Sequence, residues 1–232
     1  DPPTLRSELV RLLRNREKPL PRAPTPLLDI LGDRHIVLER RRPVRATDLP
    51  DADVVIATWW TTAEWVADLP PEKGRKYQLL QDYEVFDTQP VDRVVATYAT
   101  PLRKMAVSGY IRDQVRKHPG TGEIVLLPNA VDTDQFDVPV RAKNDTLTVG
   151  FLYTLKRRKN IALIVQALQK VKEQIPELRA LALSARAISE KLPLPDWVEG
   201  TVNPAQDRIP LLYASCDLWL LSSKDEGFGL PL

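Results

Sequence analysis

Cys216-Asp217-Leu218-Trp219-Leu220-Leu221-Ser222-Ser223-Lys224-Asp225-Glu226-Gly227-Phe228-Gly229-Leu230-Pro231-Leu232 reads as a strand that feeds a loop. The apolar run 216–221 has strand length. Two serines make a turn, and a charged pair leads into two glycines flanking an aromatic. Pro231 stands where a helix would begin, a position at which its missing N–H costs nothing, so Gly227, Phe228 and Gly229 would offer backbone amides at a helix N-terminus. Such a turn attracts anions. Glu226 at its mouth makes little sense for phosphate alone, because like charges repel. It makes sense if the carboxylate accepts hydrogen bonds from sugar hydroxyls while the amides take neighbouring negative groups.

Working back from that strand, short apolar runs alternate with helical patterns. Strands are expected at 35–39, 54–58, 77–81, 104–108 and 123–127, then at 146–152, 179–183 and 216–221. This alternation implies parallel sheets with crossover helices. A helix is marked by the capping-box spacing of Thr61 and Glu64, with Trp60 and Trp65 at the two staple positions around that cap. Another begins after Ser108, with Ile111 and Val115 on one face. The polar, proline-containing stretch 137–144 reads as a hinge between two α/β units. Beyond it, Ile161, Ile164, Val165, Leu168, Val171 and Ile175 mark a helix that ends at Pro176. Pro204 and Pro210 suit helix starts, with Asn203 as a cap. At the other end, 4–16 reads as a polar helix and 19–26 as an extended proline-rich connector.

The chain of 232 residues carries 33 Lys and Arg against 31 Asp and Glu, which leaves no global field to favour nucleic acid or an anionic membrane. Its one cysteine, Cys216, cannot form an internal disulfide, and that favours a reducing compartment. No run approaches a membrane span, and Asp1-Pro2-Pro3 opens no signal peptide, so a soluble protein is expected.

Several constellations have both a functional and a plain structural reading. The basic loop Lys156-Arg157-Arg158-Lys159-Asn160, taken alone, is a solvated turn. At the carboxyl end of the first strand of an open sheet, beside a helix N-terminus, it is instead well placed for a diphosphate. Asn129 and Asp132 fit Asx-turn chemistry. Gln81-Asp82-Tyr83-Glu84 follows a strand at its carboxyl end, where Asp82 reads equally as a ligand contact and as a loop charge. His35 and His118 have neither a metal-ligand pattern nor a nucleophile partner. Trp60 and Trp65 have a packing role by spacing alone, whereas Trp59 is left as a sugar-stacking candidate.

The ordered set 127–132 (Leu-Pro-Asn-Ala-Val-Asp) with Phe136, Val149-Gly150 followed by Arg158-Lys159-Asn160, 212–217 (Leu-Tyr-Ala-Ser-Cys-Asp), and Glu226-Gly227-Phe228-Gly229-Leu230-Pro231 resembles the retaining, nucleotide-sugar-dependent glycosyltransferases of group 1, which have the GT-B fold and include bacterial polysaccharide and lipopolysaccharide sugar transferases. The resemblance covers roughly the second half of the chain. It implies two Rossmann-like parallel-sheet domains facing across a cleft, an acceptor domain over 1–140 and a nucleotide-sugar domain over 141–232, the second truncated before the second Glu of the family signature. It also implies Glu226 and Asp82 as catalytic-site residues, and Lys159, Arg158, Gly150, Gly227, Phe228 and Gly229 as donor-binding residues, with neither metal nor cofactor. Relatives have an arginine after the strand glycine; Phe151 stands here. The implied partners are a nucleotide-sugar donor and a saccharide or lipid-linked acceptor, not nucleic acid, in the cytoplasm and with peripheral contact at the inner membrane face allowed. The implied function is retaining sugar transfer in polysaccharide or glycan biosynthesis, by a hexosyl- or deoxyhexosyltransferase. A noncatalytic nucleotide-sugar-binding module and a GT-B nucleotide-sugar epimerase are the alternatives.

Overall fold

Parallel strands rich in β-branched and aliphatic residues set the architecture. The computed structural model describes residues 31–40 and 42–230; the helix expected at 4–16, the connector at 19–26 and the helix start at Pro231 lie outside them. The described residues divide into two compact units, one of 31–105 with Asp113–Val125 and another of Ala106–Arg112 with 126–230.

The first sheet has the order β1-β2-β3-β4, formed by β1 (Val54–Ala57), β2 (Arg75–Leu80), β3 (Arg103–Ala106) and β4 (Ile124–Leu126). Strands β1 and β2 run parallel, with Ile56 opposite Tyr77. Their crossover is α1 (Trp60–Ala67), which buries Trp60, Ala63 and Val66. Ala63 and Val66 join Ala57, Leu69 and Leu102 in one apolar cluster. The start of α1 differs from expectation. Trp59 is the N-cap residue and Thr62 serves it, its Oγ1 accepting from the Trp59 N–H at 3.0 Å. Glu64 is turned instead to Arg93, whose guanidinium donates to it at 3.0 and 2.6 Å. A bidentate ion pair competes successfully for a carboxylate that a capping box would also use. Trp60 is buried while Trp65 is half-buried, so the packing role belongs mainly to Trp60.

Two further helices, α2 (Val91–Tyr98) and α3 (Gly109–Val115), follow β2 and β3. The segment 35–38 is not a strand, and Ile36 and Val37 remain exposed.

After the short α4 (Thr133–Phe136), the second sheet has the order β7-β6-β5-β8, from β5 (Thr148–Tyr153), β6 (Arg179–Ser184), β7 (Val198–Val202) and β8 (Leu218–Leu220). The pairs β5–β6, β6–β7 and β5–β8 are all parallel. Between β5 and β6 runs α5 (Ile161–Gln174), whose Ile161, Ile164, Val165 and Leu168 pack on Val149, Phe151 and Ala182. The 3.6-residue spacing of those side chains is what makes the segment a helix with one core face. Between β7 and β8 comes α6 (Ile209–Ala214), with Pro210 in its first turn as expected. Asn203 is not a helix cap. It sits at φ 46, in the left-handed region that Asn tolerates, and its N–H donates to the Ser184 carbonyl at 2.7 Å.

Asp217 fastens the entry to this sheet. Its Oδ1 accepts from Asn144 N–H (2.9 Å) and Arg141 Nη1 (3.0 Å), and its Oδ2 from Thr148 N–H (2.9 Å) and Asn144 Nδ2 (3.0 Å). The backbone N–H donors of Asn144 and Thr148, despite burial and with help from Arg141, hold its carboxyl well below the usual carboxylate range. Among the described residues no helix is long and apolar enough to cross a membrane.

Candidate functional site

In the second sheet the strand sequence runs outward from β5 in both directions, to β6 and β7 on one side and to β8 on the other. Open parallel sheets bind ligands at such a reversal, beyond the carboxyl ends of the strands. A cavity of about 400 Å³ lies there. Its walls come from the ends of β5 (Leu152, Tyr153, Thr154), β6 (Leu183, Ser184, Ala185) and β8 (Leu220 to Ser223), from Asn203 and Pro204 after β7, and from the first turns of α5 and α6. Apolar side chains dominate, with a few polar groups among them, the usual composition of a small-molecule site. The Tyr153 ring is fixed at both sides of its hydroxyl, which donates to the Leu192 carbonyl at 2.7 Å and accepts from the Ser189 N–H at 3.1 Å.

The basic loop expected to hold anions borders this cavity. Residues Arg157–Lys159 form a 3-10 turn, and Asn160, at φ 51, starts α5 without a side-chain cap of its own. The positive end of the α5 dipole therefore faces the cavity beside two lysines, Lys156 and Lys159, that line it. The turn is clamped to the strand opposite: Ser222 Oγ donates to the carbonyls of Lys159 (2.8 Å) and Asn160 (3.0 Å), and the Lys224 N–H donates to that of Arg158 (2.9 Å).

Lys159 and Glu226 meet. The ammonium donates to Glu226 Oε1, and the two side chains are 20% and 22% exposed. Burial works against the charge of Glu226, but the Lys159 hydrogen bond, the nearby Ser223 hydroxyl and the charges of Lys159 and Arg158 outweigh it, leaving the carboxyl below its usual value. Glu226 touches the cavity through Lys159 and is not one of its walls.

The other expected donor residues fall outside the walls. Gly150 lies in the middle of β5 opposite Trp219, and a Cβ there would sit 2.2 Å from the indole and 2.7 Å from Cys216 Sγ. Gly227 is buried, Phe228 is 41% exposed, and Gly229 has the positive φ of 84° that the turn needs. Phe151, where relatives carry arginine, is fully buried in the core cluster.

Asp82 belongs to the first unit, in the loop after β2, with Oδ1 accepting from the Tyr83 N–H at 2.9 Å. Beside it, the buried Glu84 accepts from the Trp60 N–H at 2.8 Å and so caps α1. Desolvation, opposed by that hydrogen bond, pushes its carboxyl up to about 7. His118 has a structural place, with Nε2 2.8 Å from the Tyr83 hydroxyl and its ring packed on Tyr98.

Residues 132–232 match the family of glycosyl transferases group 1. No curated protein matches the chain. Among solved structures, TarM is similar at a TM-score of 0.63 and 13% identity over 77% of this chain and 38% of that one. The catalytic domain of starch synthase IV from Arabidopsis thaliana, bound to ADP and acarbose, gives 0.52 and 15% over 77% and 53%. The pneumococcal O-GlcNAc transferase GtfA, in complex with UDP and GlcNAc, gives 0.54 and 15% over 80% and 40%. This chain thus spans roughly half or less of each of those chains, and at such identities the likeness concerns the fold, which is GT-B with two parallel-sheet α/β units. Over residues 132–232, then, this chain is similar to the group 1 glycosyl transferases.

Proposed function

We propose that the chain carries the donor site of a retaining glycosyltransferase, with residues 141–232 holding a nucleotide sugar and residues 1–140 serving the acceptor. The observation that carries this reading is the cavity at the carboxyl ends of β5, β6 and β8, with Lys159 and Glu226 at its margin. The apolar interior suits a nucleoside. The α5 N-terminus with Lys156, Lys159 and Arg158 suits the diphosphate, and Glu226 suits sugar hydroxyls. Two of the similar proteins carry ADP and UDP, which makes a nucleoside diphosphate a reasonable ligand class here.

As the glycosidic bond breaks, negative charge grows on the departing diphosphate and positive charge on the sugar ring. Fixed cations and helix amides beside the diphosphate stabilise that change without reorganising, the largest single contribution in most enzymes of charged transition states. The Gly227 to Gly229 turn would add amides. Asp82 would orient the acceptor. The acceptor is a saccharide or lipid-linked saccharide in glycan assembly.

A panel of nucleotide sugars with and without saccharide acceptors tests the reading by release of nucleoside diphosphate. Acceptor-dependent release, with the anomeric configuration kept in the product, supports retaining transfer. Binding without turnover would leave a noncatalytic donor-binding module.

A further inference from the structure

The strongest unassigned feature of the cavity margin is that its lysine is already occupied. Resting on the donor-site reading above, we propose that Glu226 and the ligand's phosphate compete for Lys159, so that the Lys159–Glu226 ion pair selects a complete nucleotide sugar over a free diphosphate. Lys159 lines the cavity, Glu226 holds its ammonium at the margin without being one of the walls, and both side chains are about four-fifths buried. An anion entering the cavity draws the ammonium toward itself and leaves Glu226 in partial burial without its cation. An unpaired, partly buried charge is costly. A sugar attached to the diphosphate brings hydroxyls that donate to the abandoned carboxylate and offset that cost. A free diphosphate, the product of transfer, brings none. The pair thus weakens the hold on product while leaving the donor well held.

Other groups at the margin fit this arrangement. Lys156 lines the cavity and Arg158 bears electrostatically on Glu226, so neutralising Glu226 leaves a net excess of positive charge at the margin. The loop itself does not depend on the ion pair, because Ser222 and Lys224 bind its carbonyls directly.

The test uses inorganic pyrophosphate as a bare diphosphate, titrated calorimetrically into the wild-type chain, Glu226→Gln and Glu226→Ala, with thermal melts as a control for folding. Both variants should bind pyrophosphate about tenfold more tightly, a factor corresponding to about 1.4 kcal/mol. Their affinity should also fall more steeply with salt. The same substitutions should not tighten binding of an intact nucleotide sugar. Equal pyrophosphate affinity in all three folded chains overturns the competition and leaves the donor-site reading standing. Failure of all three to bind pyrophosphate and any nucleoside diphosphate overturns both.

Discussion

Gly150 has no side chain because Trp219 fills the space, and an added methyl would meet the indole at 2.2 Å. Neither the ring, stacked on Tyr213 at 4.0 Å, nor the β5 backbone has room to yield. Gly150→Ala should therefore cost about 1–3 kcal/mol of stability, as overpacking does, and a denaturant titration measures it. In a well-folded variant at permissive temperature, diphosphate affinity should be unchanged, because the residue does not line the cavity. Lys159→Ala should do the reverse. Losing a charge-assisted hydrogen bond of about 1.5–3 kcal/mol should weaken nucleoside-diphosphate binding roughly ten- to a hundredfold, with folding retained. Unchanged affinity would return the basic loop to a solvated turn. Lys159 and Glu226 each stood out in the sequence because short motifs follow two separate strands there, β5 and β8, and the structure brings the two side chains into contact. Tyr153, Ser184 and Asn203 were not, since their part in the cavity depends on which strands become neighbours. Asn203 alone left a local trace, being a residue type that accepts a left-handed backbone.

At the scale of elements, the helices are held by side chains that reach across to them. Trp60 is buried at the start of α1, its Nε1 donates to Gln89 at 3.1 Å, and Arg93 stacks over its ring. Trp60→Ala should cost about 3–5 kcal/mol, measurably more than Trp65→Ala at its half-buried position. Glu84 caps the same helix at a cost in charge. Its folded-state pKa is raised from 4.5 to about 7, so the native state holds the proton more tightly than the unfolded chain. Its contribution must therefore weaken as pH rises from about 4.5 to about 7 and level off above. Glu84→Gln should flatten that part of the stability profile, as thermal melts across the range would register. Asp217 has the opposite sign, with its carboxyl depressed, so its contribution is present above the unfolded-state value and lost as pH falls through the folded one. The strands near motifs were legible because apolar runs of 4–8 residues between turn signals allow few alternatives. Strand β7 was not expected, since Val198–Val202 includes Glu199 and Gly200 and stands at the edge of its sheet, where no continuous apolar run is needed. The 35–39 run fulfilled the pattern but found no ladder.

For the molecule as a whole, two parallel α/β units follow from the alternation of strand and helix patterns, and the order β7-β6-β5-β8 puts the cavity at its reversal. That order could not be read from the chain, because sequence spacing fixes which strands exist and not which become neighbours. The central claim is that this cavity receives a nucleotide sugar. Amide chemical-shift mapping of an isotopically labelled chain, titrated with UDP- and ADP-sugars, tests it residue by residue. The account predicts saturable shifts gathered at 152–154, 183–185, Asn203, Gln206 and 220–223, together with Lys159 and Glu226. Saturable binding with shifts confined to other surfaces, or no shifts with any nucleotide sugar, would contradict it.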